Sequence, residues 1–247
     1  TLALKELFWM LNGSTDVKWL QERGVTYWDE WADENGSIGK SYGHQFRNFN
    51  GIDNFKVLLN QMITNPTSRR LILNLWNASE IDEMKLPPCL MNYRFACRPT
   101  KYSGKTHYYV DLHVTARSED SFLGLPYDFI SVGWFLNIMC YLCERITFPK
   151  IKFIPWNIHY TAEDFHIYEN HIEQVLQYLH NVDENKNNVI QSTAECKIDY
   201  MCLSDNKTIG KEFEIFLQKS DENNYKYFTL KKNYEDQYGQ IKAPIAV

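Results

Sequence analysis

A cysteine that follows two prolines sets the strongest local constraint on how this chain folds. In Leu86-Pro87-Pro88-Cys89-Leu90, each proline fixes its own φ angle and restricts the residue before it, so the backbone determines where the thiol points. Arg69 and Arg70 precede this turn, and Arg117 follows it. Because arginine binds phosphate and cations favour a thiolate, the pattern indicates a Cys89 thiolate that attacks a phosphorylated small molecule. For a cysteine taken alone, an inert buried thiol would be the better interpretation.

Composition limits the class of protein. The chain has 247 residues, 44% of them hydrophobic, and a formal net charge of −5. This predicts one globular domain over residues 1–247, without the basic field that nucleic acid needs. The longest apolar run, 129–142, is too short for a membrane span and predicts a buried helix. The cysteine spacing matches no zinc site, and Cys140 with Cys143 predicts a buried helical face. We therefore expect no metal, no membrane and a reducing, cytoplasmic setting.

The periodicity of apolar residues predicts an α+β fold in which helices cover one mixed sheet. Helical spacing predicts helices over 1–23, 52–64 and 127–147, and another within 162–181. Alternating or continuous apolar runs predict strands over 71–76, 91–96, 107–116, 196–203 and 211–218, with a loop over 98–105.

Several ordered segments carry a resemblance to a known family. Besides the Cys89 turn, they are Glu6-Leu7-Phe8-Trp9, Val25–Gly36, Tyr42–Arg47, Asp164–His171 and the tail Ile241–Val247. Together they resemble the thymidylate synthase family almost end to end. The resemblance implies transfer of a one-carbon unit from 5,10-methylenetetrahydrofolate to C5 of a deoxypyrimidine monophosphate, by a homodimer joined through its sheets. The family also has a further N-terminal segment with a phosphate-binding arginine, which we expect to be missing here.

The resemblance assigns catalytic and nucleotide-binding roles. Cys89 would add to C6 of the pyrimidine, which makes C5 able to attack the one-carbon unit. Glu6 would organise water and relay protons at the 4-substituent, and Tyr42 would assist removal of the C5 proton. The nucleotide ligands would be Arg117 and Ser118 on the phosphate, Arg69 and Arg70 on the phosphate of the other subunit, and His166 and Tyr168 on the sugar 3′-hydroxyl. Taken alone, the arginine pair would be a solvated face and His166 a core histidine.

The resemblance also implies a folate-binding surface. Its members would be Trp28, Trp31, Leu86, Asp120, Leu123, Gly124 and Tyr127. Aromatic rings commonly stack on a pterin, and Asp120 would accept a hydrogen bond from it. The apolar tail, which includes Ala246, would close over the folate and exclude water.

Asp128 departs from the pattern of the uracil-specific members, which have asparagine there. A protonated carboxyl can donate to N3 of cytosine and accept from its 4-amino group, and an ionised one suits a cytosine protonated at N3. A carboxylate would repel O4 of uracil. Asp128 therefore predicts dCMP as the substrate, against the alternative of neutral drift from asparagine. Two further departures are Leu90, where the synthases have histidine, and Ala116, where they have glutamine.

The product and two alternative functions stay open at this stage. Asp128 and Leu90 favour 5-hydroxymethyl-dCMP, whereas Trp31 and the intact tail favour exclusion of water and 5-methyl-dCMP. The first alternative is a thymidylate synthase that converts dUMP to dTMP. The second is a non-catalytic member kept for interaction, for example with RNA, which the retained site residues and the acidic charge disfavour. A dCMP specificity would indicate a virus-encoded enzyme.

Overall fold

The N-terminal quarter of the fold is built from short helices rather than one long one. The computed structural model describes residues 2–102, 104–147, 150–184, 194–198, 209–222, 225–226 and 228–232. The predicted helix over 1–23 is wrong in its continuity: α1 spans Leu2–Leu11 and α2 spans Val17–Gln21. Gly13 has a φ of 74°, a value that ends a helix and favours glycine. Asp16 then begins α2 by accepting a hydrogen bond from the Lys18 N–H at 2.9 Å.

Two more helices pack against this unit. Helix α3 spans Tyr42–Arg47 and α4 spans Asn54–Thr64. A Cβ atom at Gly43 would lie 2.0 Å from the Ser14 carbonyl oxygen, so only glycine lets α3 approach the turn after α1. Helix α4 confirms the prediction over 52–64 and stops before Asn65-Pro66, as proline requires.

A mixed four-stranded sheet forms the centre. Its strands are β1 (Ile72–Asn74), β2 (Leu90–Tyr102), β3 (Lys105–Ala116) and β5 (Lys152–Ala162), in the order β1-β2-β3-β5. The first two pairings are antiparallel, and β5 runs parallel to β3. The predicted loop over 98–105 is wrong, because β2 and β3 pair as a hairpin through most of it. A second, parallel pair joins β4 (Glu119–Asp120) to β6 (Phe165–His166).

The long helix α5, Gly124–Thr147, is the core element that covers the sheet. It contacts α1, α4 and β5, and buries Trp134 and Phe135 almost completely. Its length and hydropathy would suit a membrane span, but half of its apolar stretch is buried within the protein. Cys140 and Cys143 are both buried in it, which confirms the prediction of a buried helical face.

The C-terminal part adds α6 (Ile172–Glu184), β7 (Ala194–Ile198), α7 (Ile209–Glu222) and β8 (Phe228–Lys232), with β7 antiparallel to β8. The predicted strand over 211–218 is wrong, because this segment is helical. Phe213, Phe216 and Leu217 are buried at helical spacing, and the Phe213 ring stacks on Phe55 at 4.2 Å. Residues 199–203 of the other predicted C-terminal strand lie outside the described residues. The fold class itself is confirmed as α+β with a mixed sheet covered by helices.

Candidate active site

Cys89 lies at the start of β2, where three elements hold its backbone. Its N–H donates a hydrogen bond to the Tyr42 hydroxyl oxygen at 2.7 Å. Its carbonyl oxygen accepts one from the Arg117 N–H at 2.9 Å. Pro87 and Pro88 come directly before it. The thiol is half-buried, and its position is fixed by the junction of β2, β3 and α3.

Arg117 places a positive charge beside that thiol. Its guanidinium donates to the carbonyl oxygens of Pro87 at 2.9 Å and Pro88 at 3.1 Å, and its Nη2 lies 4.0 Å from Cys89 Sγ. The same guanidinium lies 5.5 Å from the centre of the Trp76 ring. The two loop carbonyls therefore orient the cation that faces the nucleophile. We call Cys89, Tyr42 and Arg117 the nucleophile cluster.

The protonation state of Cys89 differs from the sequence expectation. Burial raises the pKa of the thiol, the Arg117 charge lowers it, and the Asp128 charge raises it again. The net direction is upward. The Arg117 charge thus acts in the expected direction, but burial and nearby carboxyls outweigh one guanidinium in the ligand-free protein.

Tyr42 is buried at the start of α3, with its ring edge-on to Trp28 at 5.6 Å. Burial and the neighbouring charges of Cys89 and Asp128 raise its pKa well above that of an ordinary tyrosine. The phenol therefore stays protonated at neutral pH, and its oxygen accepts from the Cys89 N–H. Its hydroxyl is consequently available as a proton relay next to the nucleophile.

Glu6 is a carboxyl on the buried face of α1. It accepts hydrogen bonds from Trp28 Nε1 at 2.5 Å and from the Tyr27 hydroxyl at 2.9 Å. Burial raises its pKa, although both hydrogen bonds oppose that shift. Trp28 thus contributes to the site as the partner of Glu6.

Asp128 lies in the second turn of α5 within a group of acids. Tyr160 on β5 donates a hydrogen bond to Glu119, and its hydroxyl is also 3.3 Å from Asp128 Oδ2. Burial, followed by the charges of Glu119 and Glu6, raises the pKa of Asp128 well above its ordinary value. Asp128 as a whole keeps some solvent exposure. Protein atoms nevertheless surround its carboxyl, and burial is therefore the largest cause of the raised pKa. We call Glu6, Glu119 and Asp128 the acid cluster.

Asp120 has a structural task in addition to its predicted one. Its Oδ1 accepts from the Phe122 N–H at 3.0 Å, and its Oδ2 accepts from the N–H groups of Leu123 and Gly124, both at 3.3 Å. These contacts close the turn that leads into α5. They leave lone pairs for a further donor, so the turn and a pterin contact are compatible.

The other predicted folate residues form an aromatic surface near Glu6. Trp28 is buried and edge-on to Trp31 at 5.8 Å, and Tyr127, which is 38% exposed, lies edge-on to Tyr27 at 5.7 Å. Leu86 is half-buried, and its carbonyl oxygen accepts from the Ser41 hydroxyl at 2.6 Å. A flat, largely apolar ligand suits such a surface. Ala246 and the rest of the predicted tail lie outside the described residues.

The predicted nucleotide ligands divide into two groups. Ser118 follows Arg117 on the turn after β3, and His166 on β6 lies opposite Asp120 in the short parallel pair. The rings of His166 and Tyr168 meet edge-on at 4.8 Å. Burial raises the pKa of Tyr168, and the charges of Asp120 and Cys89 raise it further.

Arg69 and Arg70 are not brought into this site within one chain. Both are exposed on the turn before β1, and neither forms an ion pair with another described residue. Their predicted role in a partner's site stays a prediction.

Sequence reasoning missed Glu119 and Tyr160. Glu119 is only 2% exposed, although it lies between two predicted ligands, Ser118 and Asp120. Its acidic type next to Asp120 was the available signal. The sequence gives no signal for Tyr160, because this residue is brought near α5 by the parallel pairing of β3 with β5, in which Val114 lies opposite Tyr160.

The fold is that of a methyltransferase class of enzyme. A family model described as thymidylate synthase matches residues 1–247, and the chain therefore belongs to the thymidylate synthase family. Members of this family are dimers that bind a nucleotide and use methylenetetrahydrofolate.

A solved structure supports the same assignment. The chain is similar to the thymidylate synthase from T4 phage, with a TM-score of 0.77 and 29% sequence identity over 100% of this chain and 82% of that one.

Proposed function

We propose that this protein transfers the one-carbon unit of methylenetetrahydrofolate to C5 of dCMP, with 5-hydroxymethyl-dCMP as the product. The observation that carries the proposal is the acid cluster around Asp128. Burial and the charges of Glu119 and Glu6 raise the pKa of Asp128, which favours a protonated carboxyl. A base with an unprotonated ring nitrogen matches that proton.

The residues of the nucleophile cluster would perform the covalent step. As the Cys89 sulfur bonds to C6, the electrons of the C5–C6 double bond move towards C4, and N3 becomes basic. In cytosine N3 has no hydrogen and can take one from Asp128. N3 of uracil already carries a hydrogen, and uracil O4 would be repelled whenever Asp128 is ionised. Cytosine thus finds a complementary partner in both protonation states of Asp128.

Activation of Cys89 would depend on the substrate. Burial holds the thiol protonated in the free protein, and Arg117 lies 4.0 Å from its sulfur. We expect Arg117 and Ser118 to bind the phosphate and His166 and Tyr168 to bind the 3′-hydroxyl, which fixes C6 next to Sγ. Tyr42 would then assist the loss of the C5 proton, and Glu6 would relay protons at the 4-amino group.

The folate would supply the electrophilic carbon, and the aromatic surface would hold it. Trp28, Trp31 and Tyr127 present rings, and Leu86, Leu123 and Gly124 give a close, apolar approach. Asp120 retains acceptor capacity for the pterin. No step of this proposal requires a metal.

A homodimer is part of the proposal. Arg69 and Arg70 are exposed and have no ion-pair partner among the described residues, as expected for side chains that complete the phosphate site of a second subunit. The outer face of the sheet also exposes Trp156, at 57%, against Tyr109.

The departures at Leu90 and Ala116 fit a changed base site. The two residues are direct partners across β2 and β3, and both are buried. They form one apolar contact below Cys89 that needs no hydrogen-bond partner. Histidine and glutamine at these positions would have required one.

The test is the release of tritium from C5-labelled dCMP and dUMP, each with methylenetetrahydrofolate, while dihydrofolate is followed by absorbance. We expect release from dCMP without dihydrofolate. Release from dCMP together with dihydrofolate would make the product 5-methyl-dCMP. Release from dUMP alone would return the protein to dTMP synthesis, which the resemblance to the T4 phage thymidylate synthase favours. Release from neither, with tight RNA binding, would support a non-catalytic role.

A further inference from the structure

We propose that Glu119 and Tyr160 are positioning residues that keep one proton on Asp128, so that the site presents the base with a hydrogen-bond donor instead of a carboxylate. This inference rests on the proposed function of Asp128. It adds two residues, on β4 and β5, that act on the base only through that carboxyl.

The first argument is the contact between two carboxyls. Glu119 and Asp128 lie within hydrogen-bonding reach of each other, and Tyr160 contacts both. Two ionised carboxylates cannot form a hydrogen bond, because neither has a hydrogen to donate. Buried like charges also repel each other strongly. At neutral pH the pair is therefore most stable with a single proton.

The second argument identifies which carboxyl keeps that proton. Burial raises the pKa of Glu119 as well, but the Tyr160 hydroxyl donates to this carboxyl, which stabilises its ionised form, and the charge of His166 acts in the same direction. A Cβ atom at Gly124 would lie 3.2 Å from Glu119 Oε1, so this carboxylate sits at the first residue of α5. The N-terminus of a long helix favours a negative charge. Asp128 lies beyond the first turn and is left with the proton.

The third argument comes from the remaining neighbours of Asp128. The titratable groups that interact with it are Glu6 on α1, Tyr27, Tyr42 on α3, Cys89, Tyr93 on β2, Glu119 and Tyr160. These are acids, thiols and phenols. Each of them either opposes ionisation of Asp128 or leaves it unchanged, apart from the weak hydrogen bond of Tyr160.

The chain of contacts gives the proton a defined route. When Tyr160 donates to Glu119, its oxygen lone pair can accept from a hydrogen on Asp128 Oδ2. When N3 of the base takes that hydrogen, Asp128 becomes a carboxylate that accepts a hydrogen bond from the new N3–H, while the single Tyr160 hydrogen stays on Glu119. The later steps return the same proton from N3, so the cycle consumes none. Glu119 remains ionised throughout.

The test combines infrared spectroscopy of the protonated carboxyl with the pH profile of kcat/KM. Protein labelled with ¹³C in its aspartate or in its glutamate carboxyls distinguishes the two residue types. In the wild type at neutral pH we expect a protonated band that moves with the aspartate label and disappears in Asp128→Asn.

Two variants then probe the positioning residues. In Glu119→Gln the loss of a like charge should lower the titration midpoint of the Asp128 band by about one pH unit or more, and the alkaline limb of kcat/KM for dCMP should move with it. In Tyr160→Phe the protonated band should move from the aspartate label to the glutamate label, because Glu119 loses its donor. Glu163→Gln makes the same chemical change at an exposed position nearby and should leave both readouts unmoved.

Two results would overturn the inference: an ionised Asp128 at neutral pH in the wild type, or equal titration in Glu119→Gln and Glu163→Gln. If Glu119→Gln does not fold, the movement of the band in Tyr160→Phe decides. Turnover of dUMP alone, with the band behaving as expected, would overturn the proposed function while supporting the shared proton.

Discussion

The nucleophile cluster and the acid cluster face each other across one site but are built in opposite ways. The first is held by backbone: prolines, loop carbonyls and the Cys89 N–H fix the thiol, Tyr42 and Arg117. The second is held by side chains that share protons, with Tyr27 and Tyr160 as donors. The difference teaches that covalent chemistry and base choice are separable here. One depends on the rigid β2–β3 junction, the other on a few titrating groups.

The largest expected effect is on the nucleophile. Cys89→Ala should reduce tritium release from every nucleotide by at least about 10⁴-fold, because the covalent step has no substitute. Cys97→Ala is the matched control: that thiol is buried on the same strand, and its pKa is raised to about 12. A comparable loss of activity in Cys97→Ala, or retained turnover in Cys89→Ala, would contradict the assignment of Cys89 as the nucleophile.

The second largest effect is expected for the substitution Arg117→Gln. Loss of a charged phosphate contact should raise the KM for the nucleotide by about 10- to 100-fold. Because the Arg117 charge lowers the pKa of Cys89, the acid limb of kcat/KM should also move to higher pH. Lys18→Gln removes an exposed charge and should leave both quantities alone. A higher KM with an unchanged acid limb would mean that Arg117 binds the phosphate but does not influence the ionisation of Cys89.

The acid cluster should be visible in stability as a function of pH. The pKa of Asp128 is higher in the folded protein than in the unfolded chain. Asp128 therefore stabilises the fold fully at pH values below its unfolded-state pKa, and this stabilisation is lost as the pH rises through its folded-state pKa. Asp128→Asn should therefore gain thermal stability relative to the wild type as pH increases, each kcal/mol appearing as about 2–4 °C in Tm.

The exposed Asp82→Asn provides the control for that measurement. It should change Tm by a similar small amount at every pH. A pH-independent difference between Asp128→Asn and the wild type would contradict the raised pKa.

The smallest expected effect is at Gly124. A Cβ atom there would press on Glu119 Oε1 at 3.2 Å and on Asp120 Cβ at 3.3 Å. Gly124→Ala should lower kcat/KM for dCMP a few-fold. It should barely change stability, because the better helix propensity of alanine, about 1 kcal/mol, offsets the crowding. An unchanged rate would mean that the position of Glu119 has little influence on the base.

The members of the nucleophile cluster could be proposed from the sequence because they lie on recognisable local patterns. The prolines before Cys89 and the helix stop at Asn65-Pro66 act through neighbouring residues. Tyr160 could not be found in this way, because it lies 41 residues from Glu119 and meets it only through the pairing of β3 with β5. The net direction of the Cys89 pKa could not be predicted for a related reason: the sequence displays the cation that lowers it but not the burial that raises it.

The error over 211–218 has a different cause. The order Lys211-Glu212-Phe213-Glu214-Ile215 alternates polar and apolar residues as a strand does. The helix is favoured by contacts that the local pattern cannot contain, above all Phe213 on Phe55. Arg47 also forms an ion pair with Glu214 of α7 at 2.9 Å.

The most direct test of the account is the ratio of kcat/KM for dCMP to kcat/KM for dUMP in the wild type and in Asp128→Asn. Asparagine cannot give a proton to N3 of cytosine, but it can accept from N3–H of uracil and donate to O4. The account predicts that the ratio falls by about 10⁴-fold in the variant and reverses in favour of dUMP. An unchanged ratio would contradict the claim that this single carboxyl selects the base.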